Sequence, residues 1–136
     1  MSRAARAERA AEEIRAAGRY RWVGLYDVGE EEIVVIAWSG GNQPAHLRIP
    51  AGRGLCGAAA AAGETVVVDD VLADPRYLKT FGSTRAEIVV PVVVDGAVRG
   101  LVDVESEQRG AFGDADRALL EERAAALAPL WADQPM

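Results

Sequence analysis

The residues most able to do chemistry lie in one glycine-rich stretch, "IPAGRGLCGAAAAAGETVVVDD", at positions 49–70. Its first three glycines follow a G-x-G-x-x-G spacing, which is typical of loops that hold a dinucleotide phosphate at the start of a helix. The stretch also contains Cys56, the one cysteine in the 136 residues. Three roles are therefore open to this loop: nucleotide binding, activation of a thiol, or a sharp turn of the backbone.

The surroundings of the glycines do not suit a nucleotide site. A dinucleotide-binding loop joins a buried parallel strand to a full crossover helix. Here the preceding strand-like run contains His46 and Arg48 and ends in Pro50. The helix that fits before Gly63 has only about two turns, too few for a crossover of about a dozen residues. The glycines instead allow a sharp turn and close packing of a short alanine-rich helix.

Cys56 has a reactive and a structural interpretation. At the start of a helix, the amide N–H groups and the positive end of the dipole lower the pKa of a thiol, and Arg53 would act in the same direction. A free cysteine beside alanines is, however, commonly a small buried residue. The residue chemistry favours the structural role and leaves the reactive one open.

Composition and charge indicate an ordinary globular protein. Half of the residues are hydrophobic, 26% are charged, and the formal net charge is −6. No cluster of lysine and arginine alternates with aromatic residues, so the sequence has no electrostatic footprint for nucleic acid. The N-terminal segment has no apolar region of a secretion signal, and no apolar run is long enough to span a membrane. One cysteine cannot form a disulfide within the chain, so we expect a cytoplasmic protein with one domain over 1–136.

Hydrophobic periodicity predicts an antiparallel α+β domain. Helices are expected over 1–18 and 113–131, packed together on one side of the sheet. The alanine-rich stripe of the first helix needs a close partner, either within the domain or in a second copy, and we expect a homodimer. Strands are predicted at 20–28, 32–39, 45–50, 65–70 and on both sides of the turn dipeptide Asp95-Gly96 in 87–106.

From "RWVGLY" at 21–26 to "FGDADRALLEERAAALA" at 112–128, the chain resembles a GAF domain, specifically the free methionine-R-sulfoxide reductases. The most specific stretches are "RIPAGRGLCGAAAAAGETVVVDDV" (48–71) and "RAEIVVPVVVDGAVRGLVDVES" (85–106). The resemblance implies a central, mainly antiparallel sheet with the terminal helices on one side and a ligand pocket on the other. We assign no cofactor and no metal ligand.

The resemblance also implies a redox chemistry that this chain only partly retains. Enzymes of this branch reduce free methionine sulfoxide with a cysteine thiolate, and the resulting sulfenic acid is resolved by a second cysteine and thioredoxin. Of three cysteine positions in the pattern, the first matches His46, the second is Cys56 and the third matches Thr80. Most of the redox chemistry is implied for the first and third. A threonine hydroxyl without an adjacent base cannot replace the thiol, so we expect no efficient reductase activity.

The ligand-binding positions implied by the resemblance are better retained. The pocket aromatic residue matches Trp22, and the carboxylates match Glu87, Asp103 and Glu105, the last of which is usually aspartate. Trp22 could equally fill the core, and Glu105 could be exposed near the end of its strand. Asp103 lies in an apolar strand, where a carboxylate requires a partner or a ligand. The loop that contains Thr80 is expected to cover the pocket.

The register of the last hairpin tests this carboxylate site. A two-residue turn at Asp95-Gly96 with an unbroken ladder would place Glu87 opposite Val104, on the other face of the sheet from Asp103. Convergence of the three carboxylates therefore predicts a β-bulge near Pro91, or a longer turn.

Three functions remain open. The favoured one is a sensor-like GAF module that binds a small cationic or amino-acid-like molecule, such as methionine sulfoxide or another amine. The second is a methionine-R-sulfoxide reductase with a single cysteine, in which Cys56 takes the oxygen and glutathione or thioredoxin resolves the sulfenic acid. The third is a structural or dimerising module whose own side chains fill the pocket.

Overall fold

The computed structural model describes residues 1–132, in which six strands form one antiparallel sheet flanked by helices. The helices are α1 (Arg3–Gly18), α2 (Gly54–Ala62), α3 (Asp114–Ala126) and α4 (Pro129–Ala132). The strands are β1 (Trp22–Val28), β2 (Glu32–Ser39), β3 (Arg48–Pro50), β4 (Val66–Val68), β5 (Ala86–Val94) and β6 (Ala97–Ser106). The sheet order is β3-β2-β1-β6-β5-β4, which confirms the predicted α+β architecture.

The hairpin of β5 and β6 turns at Asp95 and Gly96, which both have positive φ, 51° and 82°. Positive φ at both central residues is typical of the turn that matches the twist of paired strands, and an Asp-Gly pair adopts it readily. Beyond this turn the ladder contains a β-bulge. Val93 pairs with Val98 but Val92 pairs with Gly100, so Arg99 is the extra residue on β6.

The bulge reverses the inward and outward alternation along the rest of the hairpin. Glu87 consequently lies opposite Glu105 and not opposite Val104. This confirms the predicted register break, although its position differs slightly, because Pro91 itself pairs regularly with Leu101.

The sheet separates two hydrophobic cores. One core lies under the terminal helices and includes Ile14 of α1, Leu120 of α3 and Trp131 of α4. The predicted packing of the end helices on one side of the sheet is therefore confirmed. The other core lies on the opposite face, beneath α2 and the segment 71–81, and includes Tyr26 and Cys56.

The predicted C-terminal helix over 113–131 is wrong as a single element. α3 ends at Ala126 and α4 begins at Pro129. Proline has no amide N–H to donate and disfavours helical geometry in the residue before it, so the helix is interrupted there. The N-terminal helix begins at Arg3, because the Ser2 hydroxyl accepts the Ala5 amide at 3.1 Å as an N-cap.

Among residues 1–132, no helix combines the length and the apolar character needed to cross a bilayer.

Candidate functional site

Three carboxylates of the β5–β6 hairpin meet on the face of the sheet that α2 covers. Glu87 lies across from Glu105, and Asp103 is two residues from Glu105 on the same strand, so all three side chains share this face. Glu87, Asp103 and Glu105 are 4%, 2% and 0% exposed. The interpretation of Glu105 as an exposed residue at a strand end is therefore wrong, because the segment before β5 covers it.

Two of the carboxylate oxygens are buried without a partner. The Thr84 hydroxyl donates a hydrogen bond of 2.9 Å to Glu105 Oε1. Within residues 1–132, Asp103 Oδ1 and Glu105 Oε2 accept no hydrogen bond. A buried carboxylate without compensation costs several kcal/mol, so such a group either keeps its proton or requires a cation.

Burial shifts the ionisation of all three acids. Desolvation raises the pKa of Asp103 from 3.8 to about 6, partly offset by hydrogen bonds with its neighbours. The pKa values of Glu87 and Glu105 are raised well above the usual range. Desolvation is the largest cause, and the negative charge of Asp103 is the second. At neutral pH the cluster therefore carries less negative charge than three solvated carboxylates would. A bound cation would lower these pKa values and favour ionisation of the acids.

Cys56 lies beside these acids, on the first turn of α2. Its Sγ and one carboxylate oxygen each of Glu87 and Asp103 all lie within 4.8 Å of one another. The residue is only 5% exposed. Burial, followed by the charges of Asp103 and Glu87, raises the pKa of the thiol. The raised pKa favours the structural interpretation of Cys56 over the reactive one, in which the helix start lowers the pKa.

The glycines around Cys56 act structurally. Gly52 has φ +83°, which L side chains rarely adopt. A Cβ on Gly57 would lie 2.5 Å from the carbonyl carbon of Gly52, so the turn and the first turn of α2 pack in direct backbone contact. β3, which precedes this loop, is an antiparallel edge strand. This arrangement confirms that the loop lacks the parallel strand and crossover helix of a dinucleotide site.

A small cavity adjoins the acids, with a volume of about 20 Å³. Five of the predicted site residues line it: His46, Cys56, Thr80, Glu87 and Asp103. A volume of this size holds roughly one water molecule, whereas pockets for small organic ligands usually occupy about 300–1,000 Å³. The predicted pocket is thus in the expected place but closed.

Trp22 and Glu105 are not among the residues that line this cavity. Trp22 is wholly buried and its indole N–H donates to the Asn42 carbonyl at 3.0 Å. Its ring covers Gly24, where a Cβ would lie 2.3 Å from the indole. In this closed structure Trp22 fills the core beside the cavity, as the alternative interpretation proposed.

Tyr26 and Leu78 also line the cavity, and sequence reasoning did not select either of them. Tyr26 follows Trp22 by four residues on the same strand, so alternation places both on one face and could have identified it. Leu78 belongs to an irregular segment, and no sequence period could have placed it there.

The segment 74–85 covers the cavity, as expected for the loop that contains Thr80. His46 Nε2 donates to the Lys79 carbonyl at 3.1 Å. Phe81 packs edge-on against Trp22, with 5.3 Å between the ring centroids. We refer to the segment 74–85 as the lid.

A larger surface groove of about 800 Å³ lies away from the acids, between the start of α1 and the β1–β2 turn. Four of its seven charged residues form ion pairs, since Arg3 bonds Asp27 and Arg48 bonds Glu32. None of the predicted site residues lines this groove, so the buried acids are the candidate site described here.

A family model described as "GAF domain" matches residues 2–129. Over 106 residues, 78% of this chain, the sequence is 32% identical to free methionine-R-sulfoxide reductase of Escherichia coli, of which the match covers 63%. This chain spans less than two thirds of the length of the relatives with which its sequence aligns.

Solved structures agree with this relationship. A type II free methionine-R-sulfoxide reductase from Thermoplasma acidophilum matches with a TM-score of 0.89 at 33% identity, over 94% of this chain and 91% of that chain. The free methionine-R-sulfoxide reductase of Neisseria meningitidis, in complex with its substrate, matches with a TM-score of 0.87 at 37% identity, over 96% and 78% of the two chains.

Proposed function

This chain belongs to the GAF domain family, and we propose that it is a sensor-like member that binds a small cationic, amino-acid-like molecule without efficient reductase activity. Its relationship to free methionine-R-sulfoxide reductases makes methionine and methionine sulfoxide the first ligands to test.

The unpartnered Asp103 Oδ1 at the cavity is the observation that carries the proposal. Asp103 and Glu87 are buried together at this point. Ionisation of either carboxyl group without a counter-charge destabilises the folded protein. An ammonium group offers three hydrogen-bond donors and a positive charge. Binding of an amine would thus satisfy the open oxygen and stabilise the ionised acids.

Ligand entry requires the lid to move. The closed cavity of about 20 Å³ excludes an amino acid, and Leu78 and Thr80 of the lid form part of its wall. The polar bonds between the lid and the sheet include the His46 bond to Lys79, a bond of 3.3 Å from Arg21 to the Ser83 hydroxyl, the Thr84 hydroxyl bond to Glu105 and a bond of 2.8 Å from the Arg85 amide to the Ser106 carbonyl. The last two anchor the C-terminal end of the lid, so we expect residues 74–82 to move outward while residues 84–85 stay in place. This movement would enlarge the pocket between the acids and Cys56.

The remaining sulfur chemistry does not suit efficient reduction of a sulfoxide. Reduction needs a thiolate that attacks the sulfoxide sulfur, takes its oxygen as a sulfenic acid and releases methionine. Cys56 is the one thiol of the chain, and burial keeps it protonated. No second cysteine can condense with the sulfenic acid, so an external thiol would have to reach a nearly inaccessible sulfur.

A second candidate, a reductase with a single cysteine, is favoured by one observation. The Cys56 Sγ lies within 4.8 Å of carboxyl oxygens of Glu87 and Asp103. The raised pKa of Glu87 favours its protonated form, and this carboxyl group could protonate the oxygen of a sulfoxide. This function requires methionine to be released from methionine-R-sulfoxide with dithiothreitol, and requires Cys56→Ser to abolish the release.

Thermal denaturation with candidate ligands tests the favoured function. Methionine, its two sulfoxides and simple amines are compared, and a ligand at 100 times its Kd should stabilise the protein by about 2.7 kcal/mol. Asp103→Asn should remove the shift, whereas Glu122→Gln, on the exposed face of α3, should retain it. If none of these compounds shifts the Tm, the domain is a structural or dimerising module and the proposal fails.

A further inference from the structure

We propose that Cys56, Glu87 and Asp103 form a binding site for one divalent transition-metal ion of the Zn²⁺ type in the closed form of the domain. Sequence reasoning assigned no metal ligand, because the three residues come from different elements and follow no metal-binding spacing. The first lies on α2, the second on β5 and the third on β6.

The donor atoms already lie close together. The Cys56 Sγ and one oxygen each of Glu87 and Asp103 are within 4.8 Å of one another. Tetrahedral zinc, with bonds of about 2.3 Å to sulfur and about 2.0–2.2 Å to oxygen, places its ligand atoms roughly 3.5 Å apart. The side chains therefore need to approach by at most about 1.3 Å, which small χ rotations provide without movement of the helix or strands.

An independent feature indicates that this cluster accepts a cation. Asp103 is 2% exposed, its Oδ1 has no hydrogen-bond partner within residues 1–132, and the residue lines the cavity. The cavity has a volume of about 20 Å³, which accommodates roughly one water molecule as a further ligand of an ion held by the side chains, but no organic molecule. A buried carboxylate that has an open oxygen and lines a space of this size suits a metal ion.

The types of donor select the class of metal. Mg²⁺ and Ca²⁺ prefer sites made entirely of oxygen ligands, whereas zinc binds thiolate and carboxylate together. The thiol would lose its proton on binding, as cysteine ligands do. With three protein ligands, a water molecule occupies the fourth position, since the cavity beside the acids provides its space.

This site does not depend on the binding of an amine. The metal ion requires the closed cavity, and an amino-acid-like ligand requires the open one. Both would use Glu87 and Asp103, so the two ligands should exclude each other, and each can be present or absent without the other.

Titration of the reduced, untagged 136-residue chain with Co²⁺ tests the metal site. Co²⁺ replaces zinc in such sites, and a thiolate ligand produces a charge-transfer band in the near ultraviolet. We expect such a band to saturate at one Co²⁺ per chain and to disappear when Zn²⁺ is added. Cys56→Ser should abolish it, and Glu87→Gln and Asp103→Asn should each weaken Co²⁺ binding at least 10-fold. Glu122→Gln serves as the matched control and should bind as the wild type does.

Two results would overturn the site: no charge-transfer band at millimolar Co²⁺, or a band that Glu87→Gln and Asp103→Asn leave unchanged. Circular dichroism identifies any variant that does not fold. If a variant does not fold, alkylation of Cys56 in the wild-type chain tests the site instead. Zn²⁺ should slow this alkylation at least 10-fold, and an unchanged rate contradicts the proposal. A Tm shift with an amine but no Co²⁺ band would reject the metal site and leave the proposed function intact.

Discussion

Glu87 and Glu105 lie directly opposite each other on β5 and β6, and both side chains are buried on the same face of the sheet. Like charges at opposed positions destabilise a β-ladder, and burial adds to that cost. The bulge at Arg99 creates this arrangement, because without the extra residue Glu87 would face the other way. A local structure that brings acids together at such a cost is typical of a ligand-binding site.

Asp103→Asn should make the ligand-free protein more stable at pH 8 but not at pH 4. The folded-state pKa of Asp103 is raised from 3.8 to about 6, so between these values the folded protein keeps a proton that the unfolded chain releases. The free energy of unfolding therefore falls as pH rises through this window, by roughly 3 kcal/mol for a shift of this size. Asparagine cannot ionise and avoids the loss.

Urea denaturation of both proteins at pH 4 and pH 8 measures this effect, with Glu122→Gln as the control. We expect the variant to be roughly 1–3 kcal/mol more stable at pH 8. A variant that is less stable than the wild type at pH 8 would show that Asp103 is ionised and compensated in the folded protein.

Replacement of His46 and Thr80 by cysteine should create methionine-R-sulfoxide reductase activity. Both residues line the cavity that contains Cys56, and both match cysteine positions implied by the family resemblance. One thiolate would take the sulfoxide oxygen as a sulfenic acid, and the second thiol would displace water to form a disulfide, which thioredoxin or dithiothreitol reduces. Methionine release is the measurement.

We expect turnover in the His46→Cys/Thr80→Cys variant that clearly exceeds that of the wild type. The matched His46→Ser/Thr80→Ser variant should stay inactive, since hydroxyl groups form no sulfenic acid. Equal rates in the wild type and in both double variants would show that the substituted positions do not limit the chemistry.

Phe81→Ala should open the lid more often and increase access to Cys56. The Phe81 ring packs against Trp22 and also receives the Arg21 guanidinium, 5.3 Å from its centroid. Loss of an aromatic pair removes about 0.5–1.5 kcal/mol beyond the burial contribution, which allows up to about 10-fold more frequent opening. The rate of Cys56 alkylation by a neutral reagent reports this change.

Leu72→Ala is the matched control for this variant, because Leu72 precedes the lid and is 66% exposed. Its alkylation rate should equal that of the wild type. If Phe81→Ala also leaves the rate unchanged, Cys56 becomes accessible by a route other than movement of the lid.

Gly24→Ala should destabilise the domain, because the new Cβ would lie 2.3 Å from the Trp22 indole. Insertion of a methyl group into a packed core costs about 1–3 kcal/mol, and here the indole must also leave its position above the strand. Thermal denaturation measures the loss of stability, and tryptophan fluorescence in a background with Trp38→Phe and Trp131→Phe reports the displacement of the Trp22 ring.

Gly82→Ala provides the control, since no atom lies within 4 Å of a Cβ at that position. Its Tm should change little. A Gly24→Ala variant as stable as Gly82→Ala would mean that the indole moves aside freely and does not pack as described.

The local features of the fold could be predicted because they depend on neighbours in the chain. The Asp95-Gly96 turn and the β-branched runs beside it gave the last hairpin correctly. The end of the last helix was predicted wrongly, because the apolar stripe continues through Trp131 while Pro129 interrupts the backbone hydrogen bonds. Side-chain periodicity and main-chain bonding conflict there, and main-chain bonding decides.

The site could be predicted only in part. Alternation along the strands predicted that Glu87 and Asp103 meet only if the hairpin contains a bulge or a longer turn, and the structure contains a bulge. Alternation could not predict that Trp22 packs outside the cavity wall, since a strand position specifies a face and not the distance to a neighbouring loop.

The sequence by itself determined the order of the strands and the register break that the acids need to share one face, because each depends on residue type and spacing. The tertiary structure decided that the pocket is closed, that Cys56 is a protonated, buried thiol, and that its sulfur adjoins two carboxyl groups. These properties arise where α2, the lid and the β5–β6 hairpin pack together. Volume, desolvation and contact between segments distant in sequence exist only after that packing has formed.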